Sequence, residues 1–549
     1  MWGSALACSS LAATETPRLT SLQFLSLIPE KALALLLGLF LCGVLYRGGN
    51  TPTAVQIAGC GAGVALLLLL LSQLPVGARS PAPAVASFAL VAACVLLVMC
   101  GLIGLFHVSA EAWLTLPARS YYREVVQWHQ LAQAELKNFA LSLDTVGTTQ
   151  AIWVAIAAFA VCVGTLALPR PLIMKLLALF AFLAIVEAVL GLLQYALSGP
   201  EFLSYSPMPQ NRAIGTFINR NHFATWLAMS LPIVLLRTSG AFTFQSSDTS
   251  TRPGHPGHLQ VWWGFAIVLI ISALLASASR AGSSAALIVT VMTLCVIATR
   301  KMSGERSILL LAIVSTVALL VAETILPRFA LAFSDDALRE SSAGRAIIYA
   351  SAFDAAKQFF PVGSGLGSFS IAFQRFQPLQ LEGMFIEHAH NDYIQLLFET
   401  GAAGVLVLLA LATAAVATAI NLFRSRDDFQ RISPAIGCFL GAGAFAFHSL
   451  FDFPAHIPAV AFAATFLFSA AIRLSLPEVD STRTKSTFRA SRSPTIARPP
   501  SVTQTRQVQQ TPGNLMRRDD PALEALFPSR KPETEVEKAR EKKADSNVG

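Results

Sequence analysis

Residues 172–197 read LIMKLLALFAFLAIVEAVLGLLQYAL, an apolar stretch whose only charged residues are Lys175 and Glu187. A helix needs about 20 predominantly apolar residues to cross the roughly 30 Å hydrocarbon core of a bilayer. This stretch is long enough, and its length is what decides the fold class. Working outward, comparable runs recur at about 30–46, 55–72, 85–107, 149–168, 221–238, 262–278, 281–299, 307–326, 402–422, 434–451 and 456–473. With 172–197 they make twelve expected spans, which puts both termini on one side of the membrane.

Composition agrees. Of 549 residues, 54% are hydrophobic and 13% charged, against about 25% charged in an average soluble domain. A soluble chain is excluded. The charge is also concentrated: Leu474–Gly549 holds 14 of the 40 basic and 10 of the 32 acidic residues. The expected organisation is an N-terminal cytoplasmic segment at 1–29, an all-α polytopic membrane domain at 30–473 with a large helical outer loop at 327–401, and a disordered basic tail at 474–549. Cys42, Cys60, Cys94, Cys100, Cys162, Cys295 and Cys438 lie in apolar runs without a CxxC pair, so neither a disulfide framework nor a zinc site is expected.

Lys and Arg in short loops stay cytoplasmic. The loops after even-numbered spans carry Arg79, then Arg170, then Arg237 and Arg252, then Arg300, Lys301 and Arg306, then Arg424, Arg426 and Arg431. Both termini are therefore expected in the cytoplasm. Ser481–Arg518 carries eight basic residues and no acid, a pattern suited to the anionic inner leaflet. No aromatic residues alternate with these charges, so no nucleic-acid partner is expected. Against the rule, Arg212, Arg220, Arg280 and Arg345 fall on the outer side.

Two outer loops are long enough to fold. The first, about 108–148, contains Ser120-Tyr121-Tyr122-Arg123-Glu124-Val125-Val126-Gln127-Trp128-His129, which suits a helix on the membrane surface. The second, about 327–401, runs through Gly344-Arg345, then Gly363, Gly365 and Gly367, then Glu387-His388-Ala389-His390-Asn391-Asp392-Tyr393, and ends at Glu399-Thr400-Gly401. The glycines allow tight turns and close backbone approach but lack the lysine of a phosphate-binding P-loop. His388 and His390 titrate near neutrality and are suited to proton transfer. A metal reading would use Glu387, His388, His390 and Asp392. Alternate residues of one short segment rarely complete a shell without a distant ligand, so no metal is expected.

Three more polar clusters mark outer ends of spans: Asn219-Arg220-Asn221-His222, Ser279-Arg280-Ala281-Gly282 and His448-Ser449-Leu450-Phe451-Asp452. His448 and Asp452, four apart, share a helix face and read either as part of a site or as a hydrogen-bonded pair between spans. Several guanidiniums can hold a di-anion bidentately and stabilise the charge that grows as a bond to phosphate breaks. A histidine beside them can take the proton of an attacking hydroxyl. The combination fits transfer of a group from a pyrophosphate leaving group to an alcohol, with a lipid-linked donor, since soluble nucleotide donors are absent outside the cytoplasm.

In order and common side, Asn219-Arg220-Asn221, Ser279-Arg280-Ala281-Gly282, Gly344-Arg345, the Pro361–Phe369 glycine run, His390-Asn391-Asp392-Tyr393, Glu399-Thr400-Gly401 and the His448–Asp452 segment resemble the bacterial O-antigen ligase and polymerase superfamily over roughly residues 85–473. The resemblance implies a multi-pass inner-membrane glycosyltransferase, related to the GT-C-like membrane enzymes, that takes a glycan from undecaprenyl pyrophosphate without a metal or other cofactor. It implies that Arg280 and Arg345 hold the pyrophosphate and that His390 is the general base. It places Arg220, Asn219, Asn221, His388, Asn391, Glu399, His448 and Asp452 around the substrates. The implied acceptor is a glycan, lipid A-core or protein. A rival from another class is a transporter or flippase of lipid-linked saccharides, for which Glu187 is the clearest mid-span charge.

Overall fold

The structure, a computed structural model, describes residues 21–72, 81–131, 138–197, 212–244, 257–301 and 335–476. It is built almost wholly of helices: α1 (Ser21–Cys42), α2 (Pro52–Ser72), α3 (Pro81–Gly104), α4 (Thr145–Ala167), α5 (Arg170–Leu197), α6 (Arg220–Thr238) and α7 (Gly257–Ser277). These are followed by α8 (Arg280–Lys301), α9 (Asp335–Phe359), α10 (Asp392–Thr400), α11 (Ala402–Arg424), α12 (Phe429–His448) and α13 (Pro458–Ser475). A helix lies at eleven of the twelve expected spans. The twelfth, at 307–326, lies outside the described residues, as do residues 1–20 and the tail beyond Leu476.

Eight of the described helices are long and apolar enough to cross a membrane, so the chain is a polytopic helical membrane protein. Helix α6 does not meet that composition, and its surroundings explain why. It carries His222, Thr225, Ser230 and Arg237, and every residue from His222 to Thr238 is buried. It packs against α5, α7, α8, α12 and α13. A helix wrapped in protein rather than lipid can carry polar side chains, provided they find partners inside.

Polar residues just ahead of helices fix where several begin. Asp144 accepts from the Val146 and Gly147 N–H groups, Asn219 from Asn221 N–H, and Asn391 from Tyr393 and Ile394 N–H, each at 2.9–3.0 Å. Such caps satisfy orphan donors of the first turn. Glu187, inside α5, is fully buried and accepts from the Thr216 hydroxyl at 2.6 Å and the Thr216 N–H at 2.9 Å. The mid-span charge of Glu187 is thus held by the Arg212–Asn219 segment through Thr216.

The bundle has two chemically distinct ends. At one, Arg170 donates to the Arg431 and Leu474 carbonyls, and Arg431 pairs with Asp428. Helix α12 starts at that end and finishes at His448 at the other. There the two long loops meet. A short antiparallel pair, β1 (His107–Ser109) with β2 (Asn138–Ala140), closes the first loop, and Ser120–His129 falls largely in a surface helix, Arg123–Leu131. Fully buried Arg119 lies between the rings of Trp113 and Phe359 and donates to the carbonyls of Leu141, Gly363 and Ser364. It ties the first loop to the glycine run of the second.

Candidate active site

His390 lies at the junction between the second loop and α10, and its backbone is unusual. It has φ of 53°, a left-handed conformation that costs a non-glycine residue about 1–3 kcal/mol and persists only where neighbours over-determine it. Those neighbours are visible. Tyr349 of α9 donates its hydroxyl to the His390 carbonyl at 2.8 Å. Asn391 caps α10 while donating to the Leu450 carbonyl, and the Asp392 N–H donates to the Ser449 carbonyl. The turn is thus clamped between α9 and the segment that follows α12.

The imidazole Nδ1 lies 3.2 Å from Asp452 Oδ1. Burial alone would raise the Asp452 carboxyl, but the His390 hydrogen bond and the charges of His222, His448 and His390 hold it well below the usual carboxylate range. An ionised carboxylate can only accept, so Nδ1 carries the hydrogen, and in the neutral imidazole the lone pair is on Nε2. The His390 side chain is 32% exposed, so Nε2 can be reached. Behind Asp452, His448 is fully buried with Nδ1 2.6 Å from the Thr225 hydroxyl. Its Nε2 stands 4.0 Å from Asp452 Oδ2, and neither atom has a hydrogen-bond partner. The sequence spacing paired His448 with Asp452; in the structure Asp452 bonds His390 instead.

Some of the arginines bear on one another and on residues beside this dyad. Arg280 feels the charges of Arg345 and Arg212, and Arg345 also acts on Tyr349 and His448. Neither Arg212 nor Arg345 makes a salt bridge among the described residues. Arg220 starts α6, and its Nη1 is buried without a partner. Asn221 Oδ1 accepts from the Ser279 hydroxyl at 2.9 Å, which joins the start of α6 to the residue before Arg280. Like-charged guanidiniums held together suit a multiply charged anion.

The remaining expected residues form a second cluster. Gln395 reaches His388 Nδ1 at 3.3 Å, His456 Nε2 at 2.9 Å and Glu399 Oε1 at 3.0 Å, while Asp392 Oδ1 holds His456 Nδ1 at 3.0 Å. Burial and the neighbouring His456, His390 and His222 drive His388 far below its ordinary range. Burial also opposes protonation of His456, but its hydrogen bond to Asp392 and the charges of Asp392, Glu399 and Glu387 prevail and raise it. Phe453 separates the two clusters, stacked on His388 at 4.2 Å and edge-on to His390 at 5.0 Å.

Glu399 is buried and accepts from the Gly367 N–H at 2.7 Å and the Phe369 N–H at 3.4 Å. The glycine run is therefore a clasp. Gly365 and Gly367 have φ of 116° and 76°, and an added Cβ would strike Ser142 and the Gly147 carbonyl. For the metal reading, Asp392 turns to His456 while His390 turns to Asp452, and no metal-ligating group of three converges among the described residues. Gln395, Phe453, Tyr349 and Thr225 escaped the sequence reading as site residues. Only Gln395 left a signal, four residues from both Asn391 and Glu399 on one helix face.

No curated protein matches the chain. The O-antigen ligase family model matches residues 265–409, a stretch holding Arg280, Arg345, His388, His390, Asn391 and Glu399 but not Arg220, His448 or Asp452. Over residues 265–409 the chain is thus shown to carry the O-antigen ligase domain of the superfamily that its motifs resemble.

Proposed function

We propose that the protein transfers a glycan from an undecaprenyl-pyrophosphate carrier to an acceptor hydroxyl on the extracytoplasmic face of the bacterial inner membrane. It would act as an O-antigen ligase or polysaccharide polymerase in cell-surface polysaccharide biosynthesis, with a glycan, lipid A-core or protein as acceptor. The observation that carries this is His390: its Nδ1 hydrogen is held by Asp452, and its neighbours Tyr349 and His448 lie within electrostatic reach of Arg345, which is in turn within reach of Arg280.

In this reading Arg280 and Arg345 bind the pyrophosphate, with Arg220 and Asn221 at its edge. His390 Nε2 takes the acceptor hydroxyl proton as that oxygen bonds the anomeric carbon. The bond from that carbon to the pyrophosphate oxygen breaks, and the electron pair leaves with the carrier, where the arginines stabilise the added charge. Asp452 steadies the imidazolium. Asn219, Asn391, Glu399 and His448 position the turns, and His388 supports the acceptor side. No metal enters the reaction.

Arg280→Ala, Arg345→Ala and His390→Ala should each lower transfer by about 10²-fold or more while inserting at normal levels, measured with purified protein and a lipid-linked glycan donor. Arg→Lys should also be poorly tolerated, because lysine offers only a point charge. Full activity in all three alanine variants would overturn the site.

A further inference from the structure

Within the second cluster, Asp392, His456 and Gln395 form one directed chain that ends at the backbone beside His390. Asp392 Oδ2 accepts from the Ala455 N–H, and Oδ1 faces His456 Nδ1, each at 3.0 Å. A carboxylate only accepts, so Nδ1 carries a hydrogen and the lone pair of the neutral His456 lies on Nε2. The Gln395 amide nitrogen stands 2.9 Å from that lone pair. Its orientation is settled on both sides: Oε1 accepts from the Ala389 N–H at 3.0 Å, while Nε2 faces Glu399 Oε1 at 3.0 Å and His388 Nδ1 at 3.3 Å. Hydrogens are therefore handed from Ala389 to Gln395, from Gln395 to His456 and from His456 to Asp392.

A second proton on His456 breaks this chain. Nε2–H would then face the Gln395 amide hydrogens at 2.9 Å, donor against donor, and only Oε1 of that side chain can accept it. Turning Oε1 to His456 takes it from Ala389, which is fully buried, so the Ala389 N–H finds no water where it stands and the turn must move. The next residue is His390, whose left-handed backbone persists only while its neighbours hold it. Burial and the imidazoles of His388 and His222 oppose a proton on His456, but its bond to Asp392 and the carboxylates of Asp392, Glu399 and Glu387 outweigh them. The His456 side chain is 27% exposed, so a proton reaches it. The carboxylates thus draw to one nitrogen a proton that the seat of Gln395 excludes. We infer that Asp392, His456 and Gln395 are positioning residues that hold the His390 turn while His456 is neutral, and that a proton on His456 releases the turn and switches transfer down. The inference rests on the proposed reaction for the word transfer, but the turn is read without it.

Of the N–H groups of residues 387–391, the one with a hydrogen-bond partner is that of Ala389, so amide exchange of a peptide covering them reads this bond. Exchange is followed by mass spectrometry on the full-length protein in nanodiscs from about pH 8 to about pH 5.5, a window that brackets an ordinary histidine. Each rate is divided by that of the same peptide unfolded, which removes the intrinsic effect of pH. Protection should fall by about tenfold toward the acid end, the worth of one hydrogen bond. His456→Gln keeps an acceptor for Gln395 and does not titrate, so its protection should stay high and flat. Gln395→Glu offers one oxygen to Ala389 and the other to a protonated His456, so it too should stay protected in acid; it is the second variant should the first misfold. Protection that does not change with pH in the parent, or that falls equally in a correctly folded variant, overturns the inference. The transfer rate of the same proteins separates the two readings. Acid release of the turn in a protein that never transfers glycan would sink the proposed reaction and leave the release standing. Transfer with one pH profile in the parent and both variants would sink the switch alone.

Discussion

His390 and Asp452 show how one hydrogen bond sets a chemical role. With Asp452 ionised, Nδ1 carries the hydrogen and the neutral imidazole has its lone pair on Nε2, turned away from Asp452. Asp452→Asn keeps the shape but can turn its amide N–H toward Nδ1, which selects the wrong tautomer and removes the charge that steadies the imidazolium. The single-turnover transfer rate should fall by about 10²-fold or more with the donor's affinity unchanged; a rate within a few-fold of the parent would remove His390 from the role of base. The neighbouring His448 is set apart by its unpartnered Nε2, 4.0 Å from the unpartnered Asp452 Oδ2. Its ring is held by the Thr225 hydroxyl, which ties α6 to the last residue of α12.

At the scale of elements, α10 and the glycine run hold the second loop in place. The Glu399 carboxylate, which burial raises despite the hydrogen bonds from Gly367, Gln395 and Phe369, joins the two. Glu399→Leu would strand those donors, at about 1–3 kcal/mol for a buried unsatisfied group, and should lower the melting temperature of the purified protein, with Glu399→Gln milder because it keeps one acceptor. The same cluster predicts a pH dependence. His388 is lowered in the folded chain, so as pH falls below its ordinary 6.5 the unfolded chain takes up a proton that the folded chain refuses, and stability drops. His456 is raised, so its contribution is complete below 6.5 and is lost as pH rises above it. Melting temperature should therefore fall between pH 6.5 and 5, and His388→Asn should flatten that slope. An unchanged slope in the variant would show that His388 is not the group responsible.

For the whole molecule, the arrangement of charge predicts sidedness. Arg170, Arg424 and Arg431 sit at one end and His390 with Arg280 and Arg345 at the other, and lysine and arginine favour the cytoplasm. In a cysteine-free background, Leu379→Cys in the second loop, 84% exposed, should react with a membrane-impermeant maleimide added to whole cells with a permeable outer membrane. Arg426→Cys should react only after lysis. The reverse pattern would invert the orientation and remove the extracytoplasmic reading of the site. The helices at eleven of the twelve expected spans were legible in the sequence, apart from boundaries that shift by several residues, as at α1 and α12.

The sequence by itself determined the membrane class, the place of a helix at eleven of the twelve expected spans and which residue types crowd one end of the bundle, because apolar length and charge placement are properties of contiguous chain. It also singled out His390, Arg280 and Arg345 through local motifs. The tertiary structure alone decided the partnerships. Asp452 meets His390 across 62 positions of sequence and Thr216 meets Glu187 across 29, while Gln395 meets His456 across 61. A buried carboxylate takes its role from whichever donors helix packing brings within 3 Å or so. That is why one carboxylate aims an imidazole, a second pins a loop and a third clasps a glycine turn, although all three look alike in the sequence.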